Sequence, residues 1–278
     1  GVGMSIFVGA ANEDRTIWIV FNGEVYNYRE LKRELEDKGH KFHSDTDTET
    51  VVHLYEEYGR DCLRHIRGMF AFAVWDEKNG IIFAARDRAG KKPFLYSNHN
   101  GRFCFASEFT ALLACGFINK EINLSAIHYY LAFGYIPAPL SIYKDVCKLP
   151  PAHFLLLKDG KVEIKRYWEL DYTKKIDIAE DDACGETLRL LKEATGIRLH
   201  SDVPLGAFLS GGIDSSVIVS LMSEISGRKI KTFSIGFDDK DYDELKYARN
   251  IARRLDTEHH EFVVRPNALE ILPLLVER

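Results

Sequence analysis

Residues 205–216 read LGAFLSGGIDSS, and their pattern predicts the fold of the second half of the chain. The apolar run 205–209 predicts a buried strand, the glycine pair allows a tight turn, and the polar residues after it predict the start of a helix. Helical spacing of apolar residues continues to Ile225, and Gly227 is placed to end the helix. A strand that leads through glycines into a helix predicts an anion site, because the free N–H groups and the positive end of the helix dipole attract negative charge.

The alternation of strand and helix continues downstream. Residues 231–237 and 261–264 predict strands, and the apolar positions between 245 and 255 have helical spacing. Upstream, four residues fall on one helical face, namely Cys184, Leu188, Leu191 and Ala194. The order βαβαβ predicts a parallel, doubly wound sheet, although such domains usually have five or six strands. We therefore expect part of an α/β nucleotide domain over residues 183–278.

The first half of the chain has a different pattern. Two helices are expected to end near Gly39 and Gly59, and short extended runs occur at 17–21, 25–28, 70–75, 81–85, 93–96 and 103–106. Runs so close in sequence favour antiparallel pairing, because parallel strands need a long crossover. Asn22-Gly23, between the first two runs, is a strong hairpin signal and alone predicts a tight turn. We expect an α+β domain over residues 1–170, and the charged segment 171–182 predicts a linker.

Composition and charge argue against several classes of protein. The formal net charge is -5 and the basic residues are scattered, which argues against a surface that follows nucleic-acid phosphates. No apolar run reaches the length of a membrane span, and the beginning of the chain lacks a signal-peptide pattern. The five cysteines are widely spaced without a Cys-x-x-Cys pair, so neither a disulfide framework nor a zinc cluster is predicted. These features predict a cytoplasmic protein.

The side chains of residues 210–216, called here the Ser210 loop, suit a phosphate site. Three hydroxyl groups can donate hydrogen bonds, those of Ser210, Ser215 and Ser216. A side chain in place of Gly211 or Gly212 would obstruct the approach of the backbone to a phosphate. Asp214 is itself negative, so its predicted role is to hold a Mg²⁺ ion that bridges phosphates. The alternative is a polar turn in which Asp214 or a serine only caps the helix.

Other polar clusters do not predict a metal site. We interpret five histidines as surface or structural residues, because they lack metal-site spacing or lie at a strand entry: His40, His43, His53, His259 and His260. Residues 45–49 lack the glycine of a calcium loop. The acidic segment 238–241 is interpreted as a solvated capping cluster.

Longer motifs resemble a known family. The Ser210 loop, the residues 202–206 before it and residues 232–237 (TFSIGF) resemble the PP-loop half of glutamine-dependent asparagine synthetases. The first half resembles the amidotransferase half of that family at 21–31 (FNGEVYNYREL), 44–49 (SDTDTE), 86–88 (RDR), 105–108 (FASE) and 148–151 (KLPP). The matches follow one another in order over most of the chain.

The resemblance implies roles for individual residues. The first half would be an N-terminal-nucleophile-type amidotransferase domain of antiparallel sheets with helices, in which Asn22 and Gly23 form the oxyanion hole. Glu24 and Asp47 would bind the amino end of glutamine. The alternative for Asp47 is that it only caps a helix that begins near Thr48.

In the second half, the resemblance assigns the pyrophosphate of ATP to the Ser210 loop and the nucleoside to the backbones of Leu209 and Ile235. The implied function is asparagine synthesis from aspartate, glutamine and ATP through β-aspartyl-AMP, which ammonia from glutamine attacks. The implied cofactors are ATP and Mg²⁺. The implied partners are these small-molecule substrates, with a homodimer left open and neither nucleic acid nor membrane involved.

One feature departs from the family pattern. The nucleophile of the family is a cysteine at the mature N-terminus, whereas the first cysteine here is Cys62, in a helix-end pattern typical of a core residue. We therefore expect a chain truncated at both ends, which neither hydrolyses glutamine nor releases pyrophosphate from ATP in the presence of aspartate.

Two alternative functions stay open at this point. One is a related ATP-dependent amidotransferase, or a β-lactam-forming synthetase, that acts on another carboxylate. The intact Asn22-Gly23-Glu24 motif speaks mildly against it. The other is a non-catalytic fragment that binds a nucleotide, which the absent nucleophile favours.

Overall fold

The structure is a computed structural model that describes residues 8–199, 201, 204–237, 244–265 and 270–273. The chain divides into two compact units, Gly1–Thr173 and Lys174–Arg278, called here the N-terminal and the C-terminal unit. Residues 202–203 and the acidic segment 238–241, which entered the sequence argument, lie outside the described residues. Within the described part of the chain, every helix is too short or too polar to cross a membrane.

The N-terminal unit consists of antiparallel strands and short helices. In chain order its elements are β1 (Val8–Ala11), β2 (Ile17–Val25), α1 (Tyr28–Asp37), α2 (Asp47–Tyr58), a 3-10 turn (Gly59–Arg64), β3 (Gly68–Asp76), β4 (Ile81–Arg86), β5 (Leu95–His99), β6 (Arg102–Ala106), α3 (Phe109–Leu113), α4 (Leu124–Phe133), β7 (Cys147–Lys148), β8 (His153–Lys158) and β9 (Lys161–Arg166). One sheet has the order β1-β2-β3-β4-β8-β9, a second has the order β6-β5-β7, and all neighbours are antiparallel. The predicted α+β architecture is confirmed.

The larger sheet is packed on both faces. On one face, Phe21 and its neighbours join a core with Leu35 of α1 and Val51 of α2. On the opposite face, small residues such as Ala73 pack against Phe94 in a core shared with the second sheet. Full burial of one large apolar side chain stabilises the fold by about 1.5–3 kcal/mol, so a one-residue slip of β2 would expose its alternating apolar set.

The prediction of a hairpin turn at Asn22-Gly23 is wrong. Strand β2 continues through both residues, with Asn22 opposite Ala71 and Gly23 opposite Phe70 on β3. Pairing with β3 overrides the local turn preference, because the apolar residues on either side of the motif belong to one buried face. The extended run predicted at 25–28 is also wrong, since the strand ends at Val25 and α1 begins at Tyr28.

The C-terminal unit has the predicted βαβαβ order. Its elements are α5 (Glu180–Gly196), β10 (Gly206–Phe208), α6 (Ile213–Ser226), β11 (Lys231–Phe237), α7 (Leu245–Arg254) and β12 (Glu258–Val264). The sheet order β10-β11-β12 is parallel throughout, as predicted. Helix α5 begins within the segment 171–182 that we expected to be a linker.

Among its described residues, the C-terminal unit has one cluster of buried apolar side chains. Leu209, Val219, Ala248 and Ala252 form its buried cluster. Of the helical face predicted on α5, Leu191 and Ala194 are half-buried, whereas Cys184 and Leu188 are exposed. Within the described residues, the predicted apolar face of α5 is therefore only partly buried.

Candidate functional site

The Asn22 side chain lies beside a small cavity in the N-terminal unit. Side chains alternate along β2, so Asn22 and Glu24 lie on the face opposite to Phe21 and Val25. This cavity has room for about one water molecule, and it is lined by Val20, Asn22, Ala71, Phe72, Ala73, Pro93, Phe94, Phe105, Ala106 and Ser107. The structure therefore brings Asn22 together with the motif at 105–108, which the sequence analysis had not assigned to the site.

Close backbone packing requires glycine at position 23. A Cβ atom there would lie 2.2 Å from the carbonyl oxygen of Met69 and 2.7 Å from the Cα atom of Phe70. Both atoms belong to the neighbouring strand and cannot move without breaking the sheet. Position 23 is thus fixed by the approach of β3, whatever ligand binds near it.

The Asp87 carboxylate anchors the strand that packs on Gly23. Asp87 is only 2% exposed, and its two oxygens accept hydrogen bonds from four backbone N–H groups, those of Phe70, Ala89, Lys91 and Lys92, at 3.0–3.2 Å. Charge-assisted bonds of this kind are stronger than neutral ones. Asp87 therefore ties β3 at Phe70 to the loop after β4.

Arg86, the preceding residue, has a similar supporting role. Its guanidinium donates hydrogen bonds at 2.7 Å to the carbonyl oxygens of Gly90, Lys92 and Leu149. Burial lowers the pKa of this guanidinium, with the neighbouring Asp87 charge acting in the opposite direction. The motifs at 86–88 and 148–151 are thereby joined, and both support the site structurally.

Asp47 lies next to the end of β2. It is the first residue of α2, and its Oδ2 accepts a hydrogen bond of 2.9 Å from the N–H of Val25. Burial raises the pKa of the Asp47 carboxyl, although this hydrogen bond acts in the opposite direction. The alternative of a simple helix cap is wrong, because Thr46 is the capping residue and accepts from the N–H of Glu49. The structure thus places Asp47 beside the backbone that follows Glu24.

Glu49 holds the loop before α2. Its carboxylate accepts hydrogen bonds of 2.7 Å from the N–H groups of His43 and Ser44, and also a bond from the Ser44 hydroxyl. Burial alone would raise the pKa of Glu49, but these hydrogen bonds outweigh it and the pKa is lowered. The motif at 44–49 therefore positions Asp47 by fixing the start of the helix.

Cys62 lies in the core, as the sequence predicted. It is fully buried within the cluster below the large sheet. Burial raises the pKa of its thiol, which keeps the thiol protonated. This residue is not an activated nucleophile.

The Ser210 loop lies in the C-terminal unit between β10 and the start of α6. Its hydroxyl groups contact each other, with Ser210 Oγ 3.0 Å from Ser215 Oγ and the N–H of Gly212 donating to Ser210 Oγ at 3.3 Å. The N-cap of α6 is Gly212, so the N-cap residue has no side chain that could accept from the first turn. The interpretation of Asp214 as an ordinary cap is therefore wrong. Of the serines, Ser210 accepts the N–H of Gly212 itself.

The two glycines of the loop have different surroundings. Gly211 has φ +82°, and a Cβ atom there would lie 2.5 Å from the backbone nitrogen of Ala248 in α7. At Gly212 the nearest atom to a Cβ would be Ser210 Oγ, at 3.4 Å. Gly211 is therefore required by packing within the protein, whereas the space at Gly212 is open on the side of the helix start.

The other predicted residues lie around the loop. Ser216 Oγ is buried without a hydrogen-bond partner in the described structure, while the side chain of Asp214 is exposed in the first turn of α6. Leu209 is buried; its N–H donates to the Phe233 carbonyl at 2.9 Å, and its own carbonyl accepts from the Ser234 hydroxyl. Ile235 follows Ser234 on β11 and is about half exposed.

Comparisons with known proteins place the two halves in families. The family described as Glutamine amidotransferase domain matches residues 10–168, and the family described as Asparagine synthase matches residues 186–277. A provisionally named glutamine-hydrolysing asparagine synthetase 2 of Methanocaldococcus jannaschii is 43% identical over 92% of this chain and 50% of its own length. The glutamine-hydrolysing asparagine synthetase 1 of Bacillus subtilis is 37% identical over 95% of this chain and 42% of its own length.

Solved structures include a more distant likeness. A glutamine phosphoribosylpyrophosphate amidotransferase from B. subtilis, complexed with ADP and GMP, is 13% identical with a TM-score of 0.41, over 94% of this chain and 64% of that chain. The chain spans about half or less of the length of the curated relatives described above. Because the amidotransferase match covers more than half of the chain and the asparagine synthase match follows it, the chain belongs to the family of glutamine-hydrolysing asparagine synthetases.

Proposed function

We propose that this chain carries the glutamine site and the pyrophosphate-binding part of an asparagine synthetase that uses glutamine, aspartate and ATP. The observation that supports this most strongly is the start of α6, where Gly212 leaves the first helical turn without a side-chain cap. Free N–H groups at the positive end of a 14-residue helix form an anion site of the kind that phosphates occupy.

The residues of the C-terminal unit fit a pyrophosphate in three ways. Among the described residues, the Ser210 hydroxyl is the one group within 4 Å of a Cβ at Gly212, so a phosphate that approaches the backbone would meet only a potential donor. The hydroxyl groups of Ser210 and Ser215 lie at the loop surface, and the buried hydroxyl of Ser216 has no partner among the described residues. The exposed Asp214 carboxylate is the type of oxygen ligand that Mg²⁺ prefers, and a bound ion would neutralise phosphate charge.

The chemistry proposed for this loop is binding and orientation. ATP supplies the adenylyl group that makes the aspartate side-chain carboxylate reactive. The Ser210 loop holds the departing pyrophosphate through N–H and hydroxyl donors, which stabilises the charge that develops on it. We place the nucleoside against the backbones of Leu209 and Ile235, at the carboxyl ends of neighbouring parallel strands.

In the N-terminal unit we propose that glutamine binds beside Asn22. The Asn22 amide and the N–H of Gly23 would donate to the oxygen of the glutamine carboxamide. The carboxylates of Glu24 and Asp47 would bind its ammonium group, since charge-assisted bonds favour this pairing. The supporting observation is the position of Asp47 beside the Val25 N–H, one residue beyond Glu24.

Calorimetric titration of the chain with MgATP tests the proposal for the C-terminal unit. Gly212→Asp places a preferred capping residue at the helix start, where the backbone already has φ -71° and ψ 166°. The new carboxylate would occupy the free N–H groups and repel phosphate. We expect the affinity for MgATP to fall at least tenfold, while the free energy of unfolding stays equal or rises by a few tenths of a kcal/mol.

Gly185→Asp is the matched control, because it makes the same change of charge in α5 of the same unit, where a Cβ meets nothing within 4 Å. Equal MgATP affinity of the Gly212→Asp variant and the unchanged chain would contradict the proposal.

Glutamine titration tests the N-terminal site separately. Asn22→Ala removes a proposed donor and is expected to weaken glutamine binding by about tenfold, the scale of one hydrogen bond. Asn98→Ala, at an exposed position of β5, is the control. An equal affinity for glutamine in the Asn22→Ala variant and the unchanged chain would exclude this site. It would not affect the proposal for the nucleotide.

A further inference from the structure

Four side chains with metal-binding atoms meet at the edge of the N-terminal unit, away from Asn22. They are Glu13, His40, His53 and Glu56, and one nitrogen or oxygen atom of each lies within 4.8 Å of the others. Glu13 lies in the turn between β1 and β2, His40 follows α1, and the other two lie on α2. The sequence did not reveal this group, because its members come from three separate segments.

The distances within the group suit a small divalent cation. His53 Nδ1 lies 3.4 Å from Glu56 Oε2 and 3.8 Å from Glu13 Oε2, and His40 Nδ1 lies 3.5 Å from Glu56 Oε2. Four ligands in a tetrahedron at the usual Zn²⁺ bond length of about 2.1 Å lie about 3.4 Å from one another. Three of the six separations need to shorten by only a few tenths of an ångström or less to match that geometry, and the ligand atoms all lie within 4.8 Å of one another.

Each carboxylate of the group also has an orienting partner. Glu56 Oε1 accepts a hydrogen bond of 3.1 Å from the Asn12 side chain. Glu13 Oε1 accepts one of 2.7 Å from the N–H of Lys41. In both residues the second oxygen, Oε2, is the atom that faces the histidines. Carboxylates held through one oxygen in this way are typical of metal ligands.

The histidines have a corresponding arrangement. Nδ1 of each ring faces the group, and Nε2 faces a further carboxylate: Glu57 at 3.3 Å from His40, and Glu49 at 3.7 Å from His53. Metal-bound histidines usually donate their other ring N–H to a carboxylate. His53 is fully buried. Its Nδ1 contacts Glu56 at 3.4 Å, but its Nε2 has no hydrogen-bond partner in the described structure, so the expectation of a satisfied structural histidine is met for only one of its ring nitrogens.

We propose that Glu13, His40, His53 and Glu56 form a Zn²⁺ site that fastens the β1–β2 turn and the segment after α1 to helix α2. Two imidazole and two carboxylate ligands fit Zn²⁺ better than Mg²⁺ or Ca²⁺, which select oxygen ligands alone. Glu13 and Glu56 are exposed, so the ion can enter from solvent, while the buried His53 fixes the inner side. The role is structural, since four protein ligands complete a tetrahedral shell.

The test is a titration of the chelator-treated chain with Zn²⁺ in competition with a chromophoric chelator. We expect one high-affinity ion per chain, an increase of the unfolding temperature on binding, and visible absorption typical of a tetrahedral centre when Co²⁺ replaces Zn²⁺. The variants Glu13→Gln and His40→Gln alter an exposed and a partly buried side chain, and each should weaken Zn²⁺ binding at least tenfold. Glu57→Gln, which removes a partner of a ligand, should weaken it by about 10- to 100-fold.

His43→Gln is the matched control, because its exposed side chain lies in the same segment as His40 but outside the group. Retention of the high-affinity ion in this control, together with its loss in the two ligand variants, supports the site. Absence of a stoichiometric ion, or Zn²⁺ binding that Glu13→Gln and His40→Gln leave unchanged, overturns it.

Discussion

Residues 22–24 and the Ser210 loop both contain a glycine, but the space around Gly23 differs from the space around Gly212. At Gly23 a Cβ would collide with the backbone of the neighbouring strand, whereas at Gly212 it would meet only a serine hydroxyl at 3.4 Å. The first site is a segment of a sheet packed on both faces. The second is an open helix start on a three-stranded sheet. Gly23 is therefore required by strand packing, whereas Gly212 leaves space beside the helix start.

This contrast predicts that changes at Gly23 mainly reduce stability, while changes at Gly212 mainly reduce binding. The three tryptophans, Trp18, Trp75 and Trp168, all belong to the N-terminal unit. Tryptophan fluorescence therefore reports unfolding of that unit. Hydrogen exchange of α6 and α7 reports on the C-terminal unit.

The largest effect is expected for Asp87→Ala. This change removes the shared acceptor of four backbone N–H groups, of which one is buried and three are partly buried, and we expect a loss of about 4 kcal/mol in the free energy of unfolding. Urea unfolding followed by tryptophan fluorescence measures it. Asp61→Ala, which removes only a surface pair with Arg64, should change stability by less than about 1 kcal/mol. Equal effects of the two changes would show that Asp87 does not anchor β3.

Gly23→Ala is expected to be the next most harmful change. The 2.2 Å approach to the Met69 carbonyl forces β2 and β3 apart, at a cost of about 3 kcal/mol. The same fluorescence measurement applies. Gly9→Ala on β1 is the control, because its Cβ would lie at an ordinary 3.6 Å from the nearest atom and the change should be nearly neutral.

A smaller effect is expected for Gly211→Ala in the C-terminal unit. Its positive φ and the 2.5 Å approach to α7 predict a cost of about 2 kcal/mol, because the few contacts of this unit allow α7 to shift. Faster hydrogen exchange in α7 is the expected observation. Gly212→Ala should leave exchange in α7 unchanged, and similar acceleration by both variants would remove the distinction between the two glycines.

The smallest effect concerns the pH dependence due to Asp47. Its pKa is raised from 3.8 by burial, so between the two values the folded state holds more protons than the unfolded state. The contribution of Asp47 to stability therefore falls as the pH rises through this window and is constant above it. The stability of the unchanged chain relative to Asp47→Asn, measured by urea unfolding from acid to neutral pH, should decrease and then level off. A difference that grows with pH would contradict the burial of this carboxylate.

The sequence predicted the C-terminal unit well because its signals are local. The strand, glycine pair and helix of residues 205–226 follow one another, and each step depends on neighbouring residues. The sequence-based prediction was wrong at Asn22-Gly23, where a turn signal was overridden by pairing with β3 residues 47 to 49 positions further along the chain. Local preference is a weak guide where a strand is buried between two neighbours.

The same limit applies to the side chains around the sites. Ser107 beside Asn22, and the meeting of His40 with His53, depend on long-range packing that spacing alone does not encode. The family motif at 105–108 was a usable signal for the position of Ser107 beside Asn22. The local spacing of Glu13, His40 and His53 did not predict that the two histidines meet.

We propose an anion site at the start of α6 and none at residues 22–24. Titration of the ¹⁵N-labelled chain with pyrophosphate and Mg²⁺, followed by amide chemical shifts, distinguishes the two segments. We expect saturable shifts concentrated at residues 212–216 and little change at residues 22–24. Shifts centred on another part of the chain, or none at 212–216 at millimolar pyrophosphate, would contradict the proposal.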